Sequence, residues 1–133
     1  MADRDDSTIQ YWAELSDYDY EVARSMHIAG HYLYVGFMCH QSVEKILKAI
    51  YVKKRNTTPP YIHKLDKLIE FTSLNDEFSE RHYEIIDELS PLNIQARYPA
   101  HKDMVYKQLN ADKSKDILTK TGELLAWLKQ KLK

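Results

Sequence analysis

The stretch that decides the fold is His31 to Lys54, HYLYVGFMCHQSVEKILKAIYVKK. It holds no proline, and its single glycine, Gly36, lies near its start. Its first third is apolar almost all round, as expected of a helix at the centre of a bundle. Val35, Cys39, Val43, Ile46 and Ile50 then continue one face at spacings of three and four residues. The opposite side collects His40, Gln41, Glu44, Lys45 and Lys48 into a polar strip.

Outward from this segment the signals are also helical. Ser7 with Gln10 fits a capping box, so a first helix is expected from Ser7 or Thr8. Tyr11, Leu15, Tyr18, Val22 and Met26 form its expected apolar face, widened by Trp12 and Ala23. Ala29-Gly30 marks a break. Asn56-Thr57-Thr58-Pro59-Pro60 is a loop, because two prolines remove two donors and bar further helix.

A short helix is expected over His63 to Phe71, and a fourth helix capped by Asn75 carries Phe78, Ile85, Ile86 and Leu89 inward. Ser90-Pro91 is a stop and restart. Pro99 biases Tyr98 towards extended structure, so residues 95–111 are read as an irregular segment in which Met104, Tyr106 and Leu109 pack on the bundle. The last helix begins near Asp112, carries Ile117, Leu118, Thr121, Leu124, Leu125 and Leu128, and ends among lysines that suit its negative pole. The expectation is all-α: an up-and-down bundle of four to five helices, in one domain spanning residues 1–133.

Composition narrows the function. The 133 residues include 44% hydrophobic and 29% charged, enough for one ordinary core. Three glycines cannot build a phosphate-binding loop, and the lone Cys39 excludes an intrachain disulfide and a zinc ribbon. The longest apolar run, Tyr32 to Cys39, is far short of the roughly 20 residues that cross a bilayer. With no secretory signal visible, a soluble cytoplasmic protein is the expectation.

The net charge of −1 conceals alternation. Residues 1–30 carry 7 acids against 2 bases and residues 71–90 carry 6 against 1. Residues 31–70 carry 3 acids against 7 bases, and 91–133 carry 4 against 9. Such alternation either holds helices together or gives the bundle one basic face for phosphate or nucleic acid.

Three constellations bear on chemistry. In the strip His40 to Lys48, spacing alone favours solvated or dimer-facing side chains, while two lysines, an amide and a carboxylate also suit a nucleotide. His40 and Glu44 have the spacing of two metal ligands but no third, so no metal and no cofactor are expected. His63, after the double proline, buttresses the loop or serves a phosphate. Arg97, Tyr98 and His101 either anchor their segment or meet a ligand: Arg holds phosphate through paired hydrogen bonds, Tyr stacks on a base, and a histidine beside them moves a proton during RNA cleavage. Ten tyrosines, several on apolar stripes, suit a protein interface, and a homodimer through the first two helices is expected.

Together the segments resemble the higher eukaryotes and prokaryotes nucleotide-binding family, the HEPN domain. The features are Trp12-Ala13 with Asp17 and Ala23, then Phe37-Met38-Cys39-His40-Gln41-Ser42-Val43-Glu44-Lys45-Ile46-Leu47-Lys48-Ala49, similar to the family's aromatic-x-x-x-Gln-x-x-Glu-Lys-x-x-Lys-Ala stretch. Pro59-Pro60 with His63 and Leu65, and Arg97-Tyr98-Pro99, follow in similar order. The resemblance implies an all-helical bundle, commonly a homodimer, often encoded beside a minimal nucleotidyltransferase and sometimes acting as a toxin paired with it. It implies a nucleotide-binding or accessory module in which Lys45, Lys48 and Arg97 meet phosphate, Gln41 and Tyr98 the base, Glu44 orients a lysine and His63 shapes the wall. Ribonuclease members of the family carry Arg and His separated by four to six residues; here Arg97 and His101 are separated by three. A metal-independent, toxin-like endoribonuclease using Arg97 and His101 is the alternative, and a purely structural interaction module is the third reading.

Overall fold

The computed structural model describes residues 2–95 and 109–133. Its elements are α1 (Ala2–Ala29), α2 (Tyr32–Arg55), α3 (Leu65–Phe71), α4 (Glu80–Leu89), the single turn α5 (Leu92–Gln95) and α6 (Ala111–Gln130). Five helices and this one turn make an all-α, up-and-down bundle, and the described residues include no strand. The expected packing of Met104 and Tyr106 lies outside the described residues, whereas Leu109 is buried as expected.

The helix ends follow local chemistry. Gly30, at φ +84, closes α1: its N–H donates to His27 O at 3.1 Å, and His31 N–H reaches Met26 O at 2.8 Å. Those two bonds are the paired reversals of a Schellman motif, which needs a left-handed residue. Asn56 ends α2 in the left-handed conformation, before the prolines. Ser73, at φ +59, ends α3, with Leu74 N–H bonding Ile69 O at 3.2 Å.

Two ends differ from expectation. α1 begins at Ala2, so Ser7 lies inside it, and Gln10 donates forward to Glu14 at 2.9 Å rather than back to a cap. α4 is capped by Ser79, not Asn75. The Ser79 hydroxyl accepts from His82 N–H at 3.1 Å, and His82 Nδ1 accepts from Ser79 N–H at 3.3 Å. Histidine fills the place usually held by Glu or Gln, which hid the box from a pattern reading.

α2 is the central element and touches every other described helix. Its Val35, Cys39, Val43, Ile46, Leu47 and Ile50 are buried. Around them pack Leu65, Leu68 and Ile69 of α3, Ile85, Ile86 and Leu89 of α4, and Ile117, Leu124, Leu125 and Leu128 of α6. Burial pushes the Cys39 thiol up to about 12, so it is a packing residue and not a nucleophile.

α1 is rotated from the expected orientation. Tyr11 and Tyr18 point outward, 58% and 66% exposed, while Ser16, Asp19 and Ala23 are buried against α2. The two serines explain this. Ser16 Oγ donates to Ser42 O at 2.7 Å, and Ser42 Oγ donates to Ser16 O at 2.9 Å. Small side chains let the two backbones approach, and the reciprocal bonds satisfy hydroxyls that burial would otherwise penalise.

The alternating charge resolves into ion pairs between helices. Asp19 of α1 meets Lys45 of α2, and Asp17 meets Lys129 of α6. Glu88 of α4 takes Lys113 at 2.7 Å and Lys120 at 2.8 Å from α6, and Arg81 meets Glu123 at 3.1 Å. Burial opposes ionisation of Glu88, but hydrogen bonds from Lys113 and Lys120 outweigh it and hold its carboxyl below the usual range.

Ser16→Leu is expected to destabilise the protein by roughly 2 kcal/mol through overpacking, and Ser42→Ala by about 1 kcal/mol, both read from urea unfolding. Retained stability in Ser16→Leu would contradict the close α1–α2 contact. His82 gives a pH prediction. Its ring stacks on Trp127 at 4.1 Å, and its pKa is lowered by burial and by Arg81 and Lys131 nearby, with Glu123 opposing. The unfolded chain therefore binds this proton first. Stability contributed by neutral His82 is full above about pH 6.5 and is lost as pH falls towards the lower folded value. His82→Gln is expected to flatten the fall in Tm between pH 7.5 and 5.5, and an unchanged slope would contradict it.

Candidate functional site

The polar strip of α2 is largely not on the surface. His40, Glu44 and Lys48 are 1%, 2% and 5% exposed. Glu44 stands at the centre of them. Its Oε2 accepts from Lys48 Nζ at 3.2 Å, one helical turn on, and from Nδ1 of His63 at 3.1 Å. Its Oε1 lies 3.8 Å from His40 Nδ1, within ion-pair range but too far for a hydrogen bond. A buried carboxylate needs such partners, because desolvating an uncompensated charge costs several kcal/mol.

Lys48 is further enclosed by rings. Its Nζ is 5.4 Å from the Trp12 centroid and 5.9 Å from that of Tyr61. One ammonium thus joins α1, α2 and the loop after the double proline, with cation–π attraction on two sides. Tyr61 itself is 92% exposed, and its ring meets that of His63 at 5.2 Å and 73°.

Of these groups His40, Tyr61 and His63 border a cleft of about 820 Å³, within the range of small-ligand sites. α2 contributes His40, the chain from Tyr61 to Asp66 forms one wall, and α4 with the Ser90–Asn93 turn forms the other. His63, whose side chain is 38% exposed, is the point at which the buried cluster reaches the cleft.

The remaining expected site residues distribute as follows. Gln41 donates its amide to Asn93 Oδ1 at 3.1 Å and so ties α2 to α5 at the cleft edge. Lys45 faces α1 and is bound to Asp19. Of the three expected phosphate contacts, Lys45 and Lys48 each already hold a carboxylate, the reverse of a free cationic strip. Arg97, Tyr98 and His101 lie outside the described residues; in sequence Arg97 follows Asn93 of the cleft wall by four positions. Among the described residues, no group of three or more His, Cys, Asp or Glu side chains is arranged to hold a metal ion. No helix there is long and apolar enough to cross a membrane.

Reasoning from residues alone missed Tyr61 and Asn93. Tyr61 follows Pro59-Pro60, and a rigid turn that presents an aromatic ring was the available signal. Asn93 had none, since its role depends on Gln41, 52 positions away.

The HEPN domain family matches residues 9–131. A crystal structure of TT1696 from Thermus thermophilus superposes with a TM-score of 0.79 at 19% identity, covering 92% of this chain and 97% of that one. At that identity the likeness is one of fold. No curated protein matches the chain.

The buried pair sets a stability prediction. Glu44→Gln and Lys48→Met are each expected to cost about 3 kcal/mol, because each leaves one charge buried without its partner. The double variant is expected to lose less than the two single losses combined, measured by urea unfolding as a double-mutant cycle. Strict additivity would contradict the pairing.

Proposed function

The chain belongs to the HEPN domain family, and from that premise we propose that it acts on RNA at the cleft, as a metal-independent, toxin-like endoribonuclease. The observation that carries this reading is the opening of His63 onto the cleft from the buried Glu44–Lys48 pair. Imidazoles move protons near neutral pH, and cleavage beside a 2′-hydroxyl needs proton transfer rather than a metal. In this reading Arg97 stabilises charge on the phosphate and His101 assists attack by the 2′-hydroxyl. Action in the cytoplasm is part of the proposal. A homodimer is part of the proposal, supported by the outward Tyr11 and Tyr18 of α1.

A second reading is favoured by the spacing of Arg97 and His101, which have three residues between them rather than the four to six of the ribonuclease pattern. In it the chain is a nucleotide-binding accessory module partnered with a minimal nucleotidyltransferase. Gln41, Tyr98 and Arg97 then face the ligand, while Lys45 and Lys48 exchange their carboxylate partners for phosphate.

Purified protein is expected to cleave single-stranded RNA or tRNA in the presence of EDTA, and Arg97→Ala/His101→Ala is expected to lose that cleavage. Absence of cleavage on both substrates would contradict the ribonuclease reading. A nucleotide or nucleotidyltransferase subunit retained in native mass spectra would then support the accessory one.

A further inference from the structure

We infer that His63, positioned by Glu44, takes the 2′-hydroxyl proton at this cleft in place of His101, and that the substrate is single-stranded RNA with one base stacked on Tyr61. The inference rests on the ribonuclease reading above and adds to it a residue and a substrate class.

Orientation of the ring comes first. An ionised carboxylate only accepts hydrogen bonds, so the 3.1 Å contact between Glu44 Oε2 and Nδ1 of His63 places the hydrogen on Nδ1. Nε2 then carries the lone pair, the arrangement in which a buried carboxylate sets the tautomer of a general base. The two partners differ in burial. Glu44 is 2% exposed and fixed by Lys48, whereas the His63 side chain is 38% exposed on the cleft wall. His40 borders the same cleft but is 1% exposed, so a substrate reaches His63 and not His40.

Recognition of the substrate comes next. Tyr61 is 92% exposed in a chain segment stiffened by Pro59-Pro60 and by a tight turn, Ile62 N–H to Pro60 O at 2.9 Å. A ring presented to solvent beside a histidine is a platform for an unstacked base, and duplex RNA offers no such base.

The step balances without a co-reactant. His63 Nε2 takes the proton of the ribose 2′-hydroxyl, the 2′-oxygen bonds to phosphorus, and the bond from phosphorus to the 5′-oxygen breaks. The leaving 5′-oxygen takes a proton from solvent water, and the imidazolium releases its own to solvent. The products are a 2′,3′-cyclic phosphate and a 5′-hydroxyl.

The test compares wild type, His63→Gln, Tyr61→Ala, Glu44→Gln and His63→Gln/Glu44→Gln. The substrates are a labelled single-stranded oligoribonucleotide, its duplex, and a form with 2′-deoxyribose at the cleaved position, with thermal melts run alongside. Wild type is expected to cut the single strand alone and to leave the cyclic end. His63→Gln, whose amide can still donate to Glu44, is expected to stay folded with a modestly lowered melt and to lose on the order of 100-fold or more in kcat. Tyr61→Ala is expected to raise KM with little change in kcat. The His63→Gln/Glu44→Gln variant is expected to be no slower than His63→Gln, since Glu44 acts through His63; a merely structural role would add a further loss. Should the Glu44 variants fail to fold, the His63 and Tyr61 variants decide. Cleavage by wild type with His63→Gln equally active overturns this inference and leaves the ribonuclease reading standing. No cleavage by wild type overturns both.

Discussion

Two opposite charges, Glu44 and Lys48, are buried one turn apart on the helix that every other described helix touches. Removing them from water is costly, and a pair in the interior is sustained only when its remaining hydrogen-bonding capacity is met. Here that demand reaches outward. The carboxylate requires the His63 imidazole from the far side of the 56–64 loop, and the ammonium requires the rings of Trp12 and Tyr61. One ion pair thereby fixes where α1 and the double-proline loop lie against α2, and it aims His63 at the cleft.

The apolar core accommodates this pair by surrounding it. Val43, Ile46 and Leu47 on the same turns of α2 are fully buried, so α2 is covered on almost every side. Elsewhere charge serves a different purpose. The pairs between α4 and α6 and between α1 and α6 are partly or largely exposed, and each contributes little alone. Their value lies in register: acidic α1 and α4 face basic stretches of α2 and α6, and a slipped arrangement would oppose like charges.

The sequence was legible where one residue type dictates a local geometry. Gly30, Asn56-Thr57-Thr58-Pro59-Pro60 and the long apolar run of α2 placed the main breaks and the central helix, because left-handed turns and missing donors act within a few residues. The rotation of α1 was not legible. Its apolar stripe suggested Tyr11 and Tyr18 inward, but reciprocal bonds between Ser16 and Ser42, 26 positions apart, turned a polar face towards α2. The site divided in the same way. Glu44, Lys48 and His63 stood out as residue types, yet their burial and mutual contact depend on three segments meeting in space. Spacing on one helix described a solvated strip, and tertiary packing made it a buried cluster that opens to the cleft at His63.

The central claim is that a buried carboxylate holds the His63 ring in one tautomer at the cleft. Nitrogen-15 NMR of the imidazole side chains, with His63 assigned through His63→Gln, reads this directly at a pH where the ring is neutral. The account predicts the hydrogen on Nδ1, against the Nε2–H form that a free histidine prefers, and reversion of that signature when Glu44 is replaced by alanine. A neutral His63 carrying its hydrogen on Nε2 in the intact protein would contradict it.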